Sequence, residues 1–170
     1  MDNVGGRNDA AVLVPLYVQD GDFHAVFTKR RDDLRRHAGE ISFPGGRPDF
    51  EEEELRTTAL REAEEEIGLP RDDVEIVGAL PPTGTFVTNY RIHPYVGLIE
   101  AGKEWELQPR EVEVVLELSL PDLIRGFEMQ RLLRKGLPIK TPTYTVDGNL
   151  VWGATARILQ HLLERLEPIL

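Results

Sequence analysis

A run of glutamates closed off by glycine and proline at both ends constrains this chain more than any other feature. Pro44-Gly45-Gly46 marks a tight turn, and Gly68 followed by Pro70 marks a helix end. Between them the pattern predicts a helix from near Glu52 to Gly68. At about 100° per residue, Leu55, Ala59, Leu60, Ala63 and Ile67 fall within an arc of about 140°. Glu62, Glu65 and Glu66 share an arc of about 100° beside that stripe, Arg61 borders Glu65, and Glu64 points to solvent. Like charges so placed destabilise a helix by a few tenths of a kcal/mol per pair, and acids near its C-terminus also oppose the dipole. A hard divalent cation among them removes the cost. Oxygen-only ligands, with no His or Cys beside them, select Mg²⁺ or Mn²⁺ over Zn²⁺. A plain solvated acidic face is the competing reading of the helix alone.

The charge of the chain is uneven. It has 170 residues and a formal net charge of -10, against which a broad nucleic-acid-binding face is not expected. Residues 49–66 hold nine acids against Arg56 and Arg61, a net of -7. Residues 29–36, just upstream, hold five cations against Asp32 and Asp33, a net of +3. With no cysteine there are no disulfides, thiolate metal sites or cysteine nucleophiles. The longest apolar run, residues 10–18, is about half of a membrane span, so no membrane partner is expected. No signal peptide or peroxisomal tripeptide is evident, which leaves the cytoplasm as the expected location.

Residues 10–18 read as a largely buried strand, with Pro15 at an edge or bulge. Residues 23–28 follow as its hairpin partner after the Gly21-Asp22 turn. Further strands are expected at residues 41–43, 74–80, 93–100 and 111–120. Residues 83–91 read as a polar loop and 101–110 as an exposed connector. Residues 120–136 look weakly helical, and residues 153–166 form an amphipathic helix with Ile158, Leu159, Leu162, Leu163 and Leu166 on one face. His24, His93, His161 and Trp152 read as structural. The expected class is α/β (α+β), a mixed sheet between helices, with a flexible N-terminus over residues 1–9 and one domain over 10–170.

Arg61-Glu62-Ala63-Glu64-Glu65-Glu66-Ile67-Gly68-Leu69, with Gly46 upstream, resembles the Nudix box, G-x5-E-x7-R-E-U-x-E-E-x-G-U, the mark of Nudix hydrolases. The box spans about residues 46–69, and one extra residue lies between glycine and helix. Counted forward from Gly46 the box glutamate is Glu52; counted back from Arg61 it is Glu53. Helical spacing is the stiffer ruler and favours Glu53. Thr28-Lys29-Arg30, Leu34-Arg35, His37 and Gly39-Glu40-Ile41-Ser42-Phe43-Pro44-Gly45-Gly46 resemble the signature that precedes the box in coenzyme A pyrophosphatases. Arg31 departs from it, since a small residue is usual there.

The resemblance implies Mg²⁺- or Mn²⁺-dependent pyrophosphate hydrolysis. Glu62, Glu65, Glu66 and the carbonyl of Gly45 would hold metal, Arg61 would orient a carboxylate, and Gly46, Glu53 and Gly68 would support the loop and helix. The general base is either a box glutamate or Glu111, with Glu113 behind it. Lys29, Arg30, Arg35 and His37 are candidates to bind a phosphate-rich small molecule, with Phe86 and Tyr90 as candidates to stack on an adenine. Arg31 and Arg36 read as solvated or paired. The substrate implied is coenzyme A or its thioesters. ADP-ribose, dinucleotides or nucleoside triphosphates are the alternatives, as is a Nudix module that binds nucleotides without cleaving them. Oligomeric state is left open, a homodimer included.

Overall fold

The structure is a computed structural model that describes residues 8–35, 38–85, 89–134 and 136–170. Its centre is β1 (Asn8–Gln19), whose pleat sends Ala11, Leu13 and Tyr17 to one face and Val14 and Leu16 to the other. Both faces are covered, which is why the strand reads as a continuous apolar run rather than an alternation. A turn at Asp20-Gly21, both with positive φ, returns the chain as β2 (Asp22–Arg30), antiparallel to β1. The short strands β3 (Ile41–Ser42) and β4 (Gly45–Gly46) follow, then the helix α1 (Leu55–Ile67). Strands β5 (Glu75–Ala79), β6 (Thr83–Gly84), β7 (Tyr90–Leu98) and β8 (Val112–Ser119) complete an eight-stranded mixed sheet among the described residues. Its main path is β3-β2-β1-β7-β5, with β1 and β7 parallel.

Helix α1 buries Ala59, Ala63 and Ile67 against Ala11, Leu13, Tyr17 and Val26. On the other face lie α2 (Leu120–Arg125) and α3 (Gly153–Leu166), and a second sheet, β9 (Phe127–Arg134), β10 (Leu137–Val146) and β11 (Asn149–Val151), with β10 central. Ile158, Leu159 and Leu162 of α3, Leu120 and Leu123 of α2 and Tyr144 of β10 pack there with Val14, Leu16 and Phe27. This is the expected mixed sheet between helices.

Four local expectations change. Pro15 lies in a central strand rather than at an edge or bulge. Leu13 N–H bonds Pro44 O on the β4 side, and pairing with β2 begins only at Leu16. By the two-residue period, the missing N–H of Pro15 faces the gap between those two partners. Residues 120–136 are only briefly helical: Ser119 Oγ accepts from Asp122 N–H at 3.1 Å, and α2 stops at Gly126, where a Cβ would strike the Thr145 carbonyl. The Met, Gln, Arg and Leu of β9 favour helix, but full pairing with β10 around Gly136 overrides that preference. Of the polar loop at residues 83–91, Thr83-Gly84 and Tyr90-Arg91 are paired strand. Asn8 and Asp9 belong to β1 rather than to a flexible terminus, and residues 1–7 lie outside the described residues.

Residues 101–110 carry no regular element but do more than connect. Glu106 N–H bonds Ile67 O at 3.0 Å and Gln108 N–H bonds Glu66 O at 2.8 Å, so the segment caps α1. Gly68 is held at φ 70°, and a Cβ there would lie 2.8 Å from that of Glu106. Only glycine allows both the left-handed turn and the close approach.

Candidate active site

Helix α1 begins at Leu55, three residues later than the expected start, because residues 50–53 form a turn closed by Glu53 N–H to Phe50 O at 3.1 Å. That turn drops Glu53 beneath the helix, where it is 9% exposed, while Glu52 points outward. Glu53 accepts the Thr58 hydroxyl at 2.6 Å and the Arg61 Nη2 and Nε at 3.0 and 3.1 Å. The guanidinium, helped by Thr58, holds its carboxyl down at about 2. Glu53, rather than Glu52, is therefore the acid that meets Arg61.

Arg61 is the hub of this end of the site. Besides Glu53 it reaches Asp49 Oδ2 at 3.2 Å, Glu62 Oε1 at 3.2 Å, Glu65 Oε2 at 3.1 Å and the Arg47 carbonyl at 2.9 Å. Its fixed planar fork lets one side chain bind several oxygens at once. Glu53 above all raises its pKa further.

The three helix glutamates divide by environment. Glu65 is exposed and tied to Arg61. Glu62 and Glu66 turn toward β4. A Cβ on Gly46 would lie 2.5 Å from Glu62 Oε1, so the missing side chain is what makes room for that carboxylate. Gly45 N–H donates to Glu66 Oε2 at 3.2 Å. Burial raises Glu62 to about 7 and Glu66 to about 8. For Glu66 the neighbouring Glu62 charge adds to the rise and Glu111 contributes, while Arg30 opposes it.

These side chains suit a hard divalent cation. The donors are all oxygen, and they are half-buried carboxylates whose charges repel one another, an arrangement that a cation relieves. Among the described residues no three acid or imidazole side chains are grouped closely enough to form a ready-made cage. Arg61 holds one oxygen of Glu62 and both of Glu65 instead.

The remaining candidates arrive from three directions. Lys29 and Arg30 end β2 at an irregularity in its pairing with β8, and Arg30 N–H bonds Glu40 O at 2.9 Å. Glu111 is exposed just before β8, with Arg31 N–H on its carbonyl at 3.1 Å, and its charge acts on both Glu62 and Glu66. Arg35 is exposed. Tyr90 starts β7 beneath the Arg47 guanidinium. His37 and Phe86, like Arg36, lie outside the described residues. Arg31 is paired, with Asp33 at 2.7 Å and the Pro109 carbonyl at 2.7 Å. Glu64 is exposed, as its place on the helix indicates, and it also accepts Arg71 N–H at 3.0 Å, which supports the turn after α1.

Arg47, Asp49 and Thr58 join the site although no motif in the sequence marks them. The position of Thr58, one turn ahead of Arg61 on the helix, was the available signal for a partner of Glu53.

The carboxylate pair, its arginine hub and the layered mixed sheet define a phosphoanhydride hydrolase of the Nudix type. Residues 7–134 match the NUDIX domain family, and the chain belongs to that family. It is a Nudix pyrophosphohydrolase acting on nucleoside diphosphate derivatives, and Nudix hydrolases generally use divalent metal ions. It is 33% identical over 159 residues, 92% of this chain and 79% of the relative, to the uncharacterized Nudix hydrolase NudL of Yersinia pestis strain Pestoides F. The Mycobacterium smegmatis Nudix hydrolase RenU shares its fold, with TM-score 0.63 at 18% identity over 96% of this chain and 88% of that one. So does the Nudix domain of Shewanella oneidensis NrtR, complexed with ADP ribose, with TM-score 0.61 at 14% identity over 95% and 89%. No helix among the described residues is long and apolar enough to cross a membrane.

The two raised carboxyls predict how stability changes with pH. The folded protein keeps protons on Glu62 and Glu66 up to about 7 and 8, whereas the unfolded chain releases them near 4.5. Their contribution is therefore fully present below about 4.5 and is lost as pH rises through 7 to 8. In EDTA, Glu66→Gln should melt higher than wild type at pH 8.5 but not at pH 5, and Mg²⁺ should raise the wild-type Tm more at pH 8.5. A Gln variant less stable than wild type at pH 8.5 would contradict this burial.

Proposed function

We propose that the protein hydrolyses the diphosphate of coenzyme A and its thioesters, giving 3′,5′-ADP and 4′-phosphopantetheine or its acyl form, with the cytoplasm as its setting. The observation that carries this reading is the meeting of the basic strand end with the carboxylate pair. Lys29 and Arg30 lie at the end of β2, and the Arg30 charge acts on Glu66. Those cations open the stretch from Thr28 to Gly46 that resembles the coenzyme A pyrophosphatase signature.

Glu62 and Glu66, with Glu65 and the Gly45 carbonyl, would hold Mg²⁺ or Mn²⁺. Bound there, the ion supplies charge neutralisation of the diphosphate and a lowered pKa for a water. Gly45 and Gly46 keep β4 close to the carboxylates. Arg61 bridges Glu62 and Glu65 through one nitrogen, offsetting their mutual repulsion, and neutralises Glu53. Glu111, whose charge acts on both half-buried glutamates, would serve as the base that takes a proton from the attacking water. Lys29, Arg30, Arg35 and His37 take phosphate oxygens, the arginines through their forks. Phe86 and Tyr90 belong to the nucleoside end.

The test is a parallel assay with Mg²⁺ on coenzyme A, acetyl-coenzyme A, ADP-ribose, NADH and a deoxynucleoside triphosphate. Coenzyme A and its thioester should show the highest kcat/KM, with activity abolished by EDTA. ADP-ribose cleaved far faster than coenzyme A would overturn the substrate assignment and leave the hydrolase class standing. Hydrolysis that survives the chelator would remove the metal.

A further inference from the structure

Arg47 makes an unusual contact for an arginine in so acidic a chain. The net charge is -10, yet among the described residues the Arg47 guanidinium makes no ion pair with a carboxylate. Its Cζ lies 5.5 Å from the centroid of the Tyr90 ring. The residue is exposed, so the side of the guanidinium away from the ring is open.

The contact follows from the sheet. Strand β4 pairs with β1 at Ala11 and Val12, and β7 pairs with the other edge of β1 from Asn8 onward. Gly46 faces α1, since a side chain there would meet Glu62. Arg47 is the first residue beyond β4, and its guanidinium reaches the Tyr90 ring. Tyr90 is opposite Asn8, two residues before the Ala10–Ile92 pair. The two side chains meet across the end of β1.

Both ends of the pair are fixed through the backbone. The Arg47 carbonyl accepts Arg61 Nη2 at 2.9 Å, which ties it to the hub of the carboxylate site. Tyr90 N–H donates to Thr85 Oγ1 at 2.9 Å, and Thr85 N–H to the Tyr90 carbonyl at 2.9 Å. What remains is a flat cation backed by a ring, one residue from the glycine that seats Glu62.

We infer that the Arg47–Tyr90 pair is the platform on which the nucleobase of the substrate stacks, with the guanidinium plane as the contact surface. Guanidinium planes and aromatic rings are the two side-chain surfaces on which bases stack, and the charge also attracts the adjoining phosphates. A nucleoside whose phosphate lies at Gly45-Gly46 has its base within reach of this face. The assignment rests on the phosphoanhydride site proposed above and adds the determinant for the base.

The experiment measures binding of 5′-AMP and of inorganic pyrophosphate, each with Mg²⁺, to wild type, Arg47→Lys, Tyr90→Leu and Tyr90→Phe, together with KM and kcat on coenzyme A. Arg47→Lys keeps the charge and loses the plane. It and Tyr90→Leu should weaken AMP by roughly 5- to 100-fold and leave pyrophosphate within about twofold. They should also raise KM without lowering kcat, and Tyr90→Phe, which keeps the ring, should recover most of the AMP affinity that Tyr90→Leu loses. AMP affinity unchanged in both variants, AMP and pyrophosphate weakened equally, or a wild type that binds pyrophosphate but not AMP would each overturn the platform. A wild type that cleaves no coenzyme A overturns the substrate assignment instead, and the AMP comparison still decides the platform.

Discussion

Glu66→Gln should lower kcat by about 10³-fold or more while leaving the fold intact. The carboxylate is half-buried, accepts Gly45 N–H and lies beside Glu62, so in the proposed site its charge is the one that a bound cation would neutralise. Losing a metal contact removes several kcal/mol of charge stabilisation, and each 1.36 kcal/mol is about tenfold in rate. Gln keeps the shape and an acceptor for the Gly45 N–H, so circular dichroism should not change. Glu52→Gln, on the outward face of the preceding turn, is the control and should retain wild-type turnover. Glu111→Gln separates the roles: as a base it should cost about 10²- to 10⁴-fold in kcat, with Mg²⁺ still raising the Tm. Near-normal turnover in Glu66→Gln would remove the metal-site assignment.

Arg61→Ala should be the most destabilising single change in the site. Glu53 is buried and its low pKa depends first on that guanidinium. Removing one partner of a buried pair leaves an uncompensated charge, at a cost of about 3–5 kcal/mol. For a chain of this size that is a drop in Tm of roughly 6–20 °C. Arg61→Lys should recover only part of it, because an ammonium has no fork to serve Glu53, Glu62 and Glu65 together. Combining Arg61→Ala with Glu53→Gln should cost clearly less than the sum of the two, since they remove one interaction. An additive double variant, or an Arg61→Ala protein that melts as wild type does, would show that the hub carries no load.

Much of this site was legible because it lies on one helix. The 3.6-residue period places Arg61, Glu62 and Glu66 relative to one another, whereas Glu53 lies in the turn before the helix and reaches Arg61 only through the fold of that turn. A helix is a rigid ruler; the turn before it is not. The same period gave no guide at residues 120–136, where helix-favouring residues form a strand because a partner strand ten residues on satisfies their backbone. Nor did it show that residues 101–110 cap α1 and lead the chain to Glu111, since those hydrogen bonds are made by backbone atoms that every residue type shares.

From its residues alone this chain specified a glutamate helix, the arginine that pairs with it, a glycine turn beside it and a basic stretch ahead of it, each a pattern of near neighbours. Packing decided which glutamates are half-buried and which is left to solvent, a distinction set by the approach of β4 rather than by the helix. It also brought Glu111 within electrostatic reach of Glu62 and Glu66, and set Arg47 over Tyr90 across a strand that belongs to neither. Those relations depend on which strands lie side by side and on which face each residue falls. Strand order follows from burying the whole apolar surface at once, so no local stretch of sequence contains it.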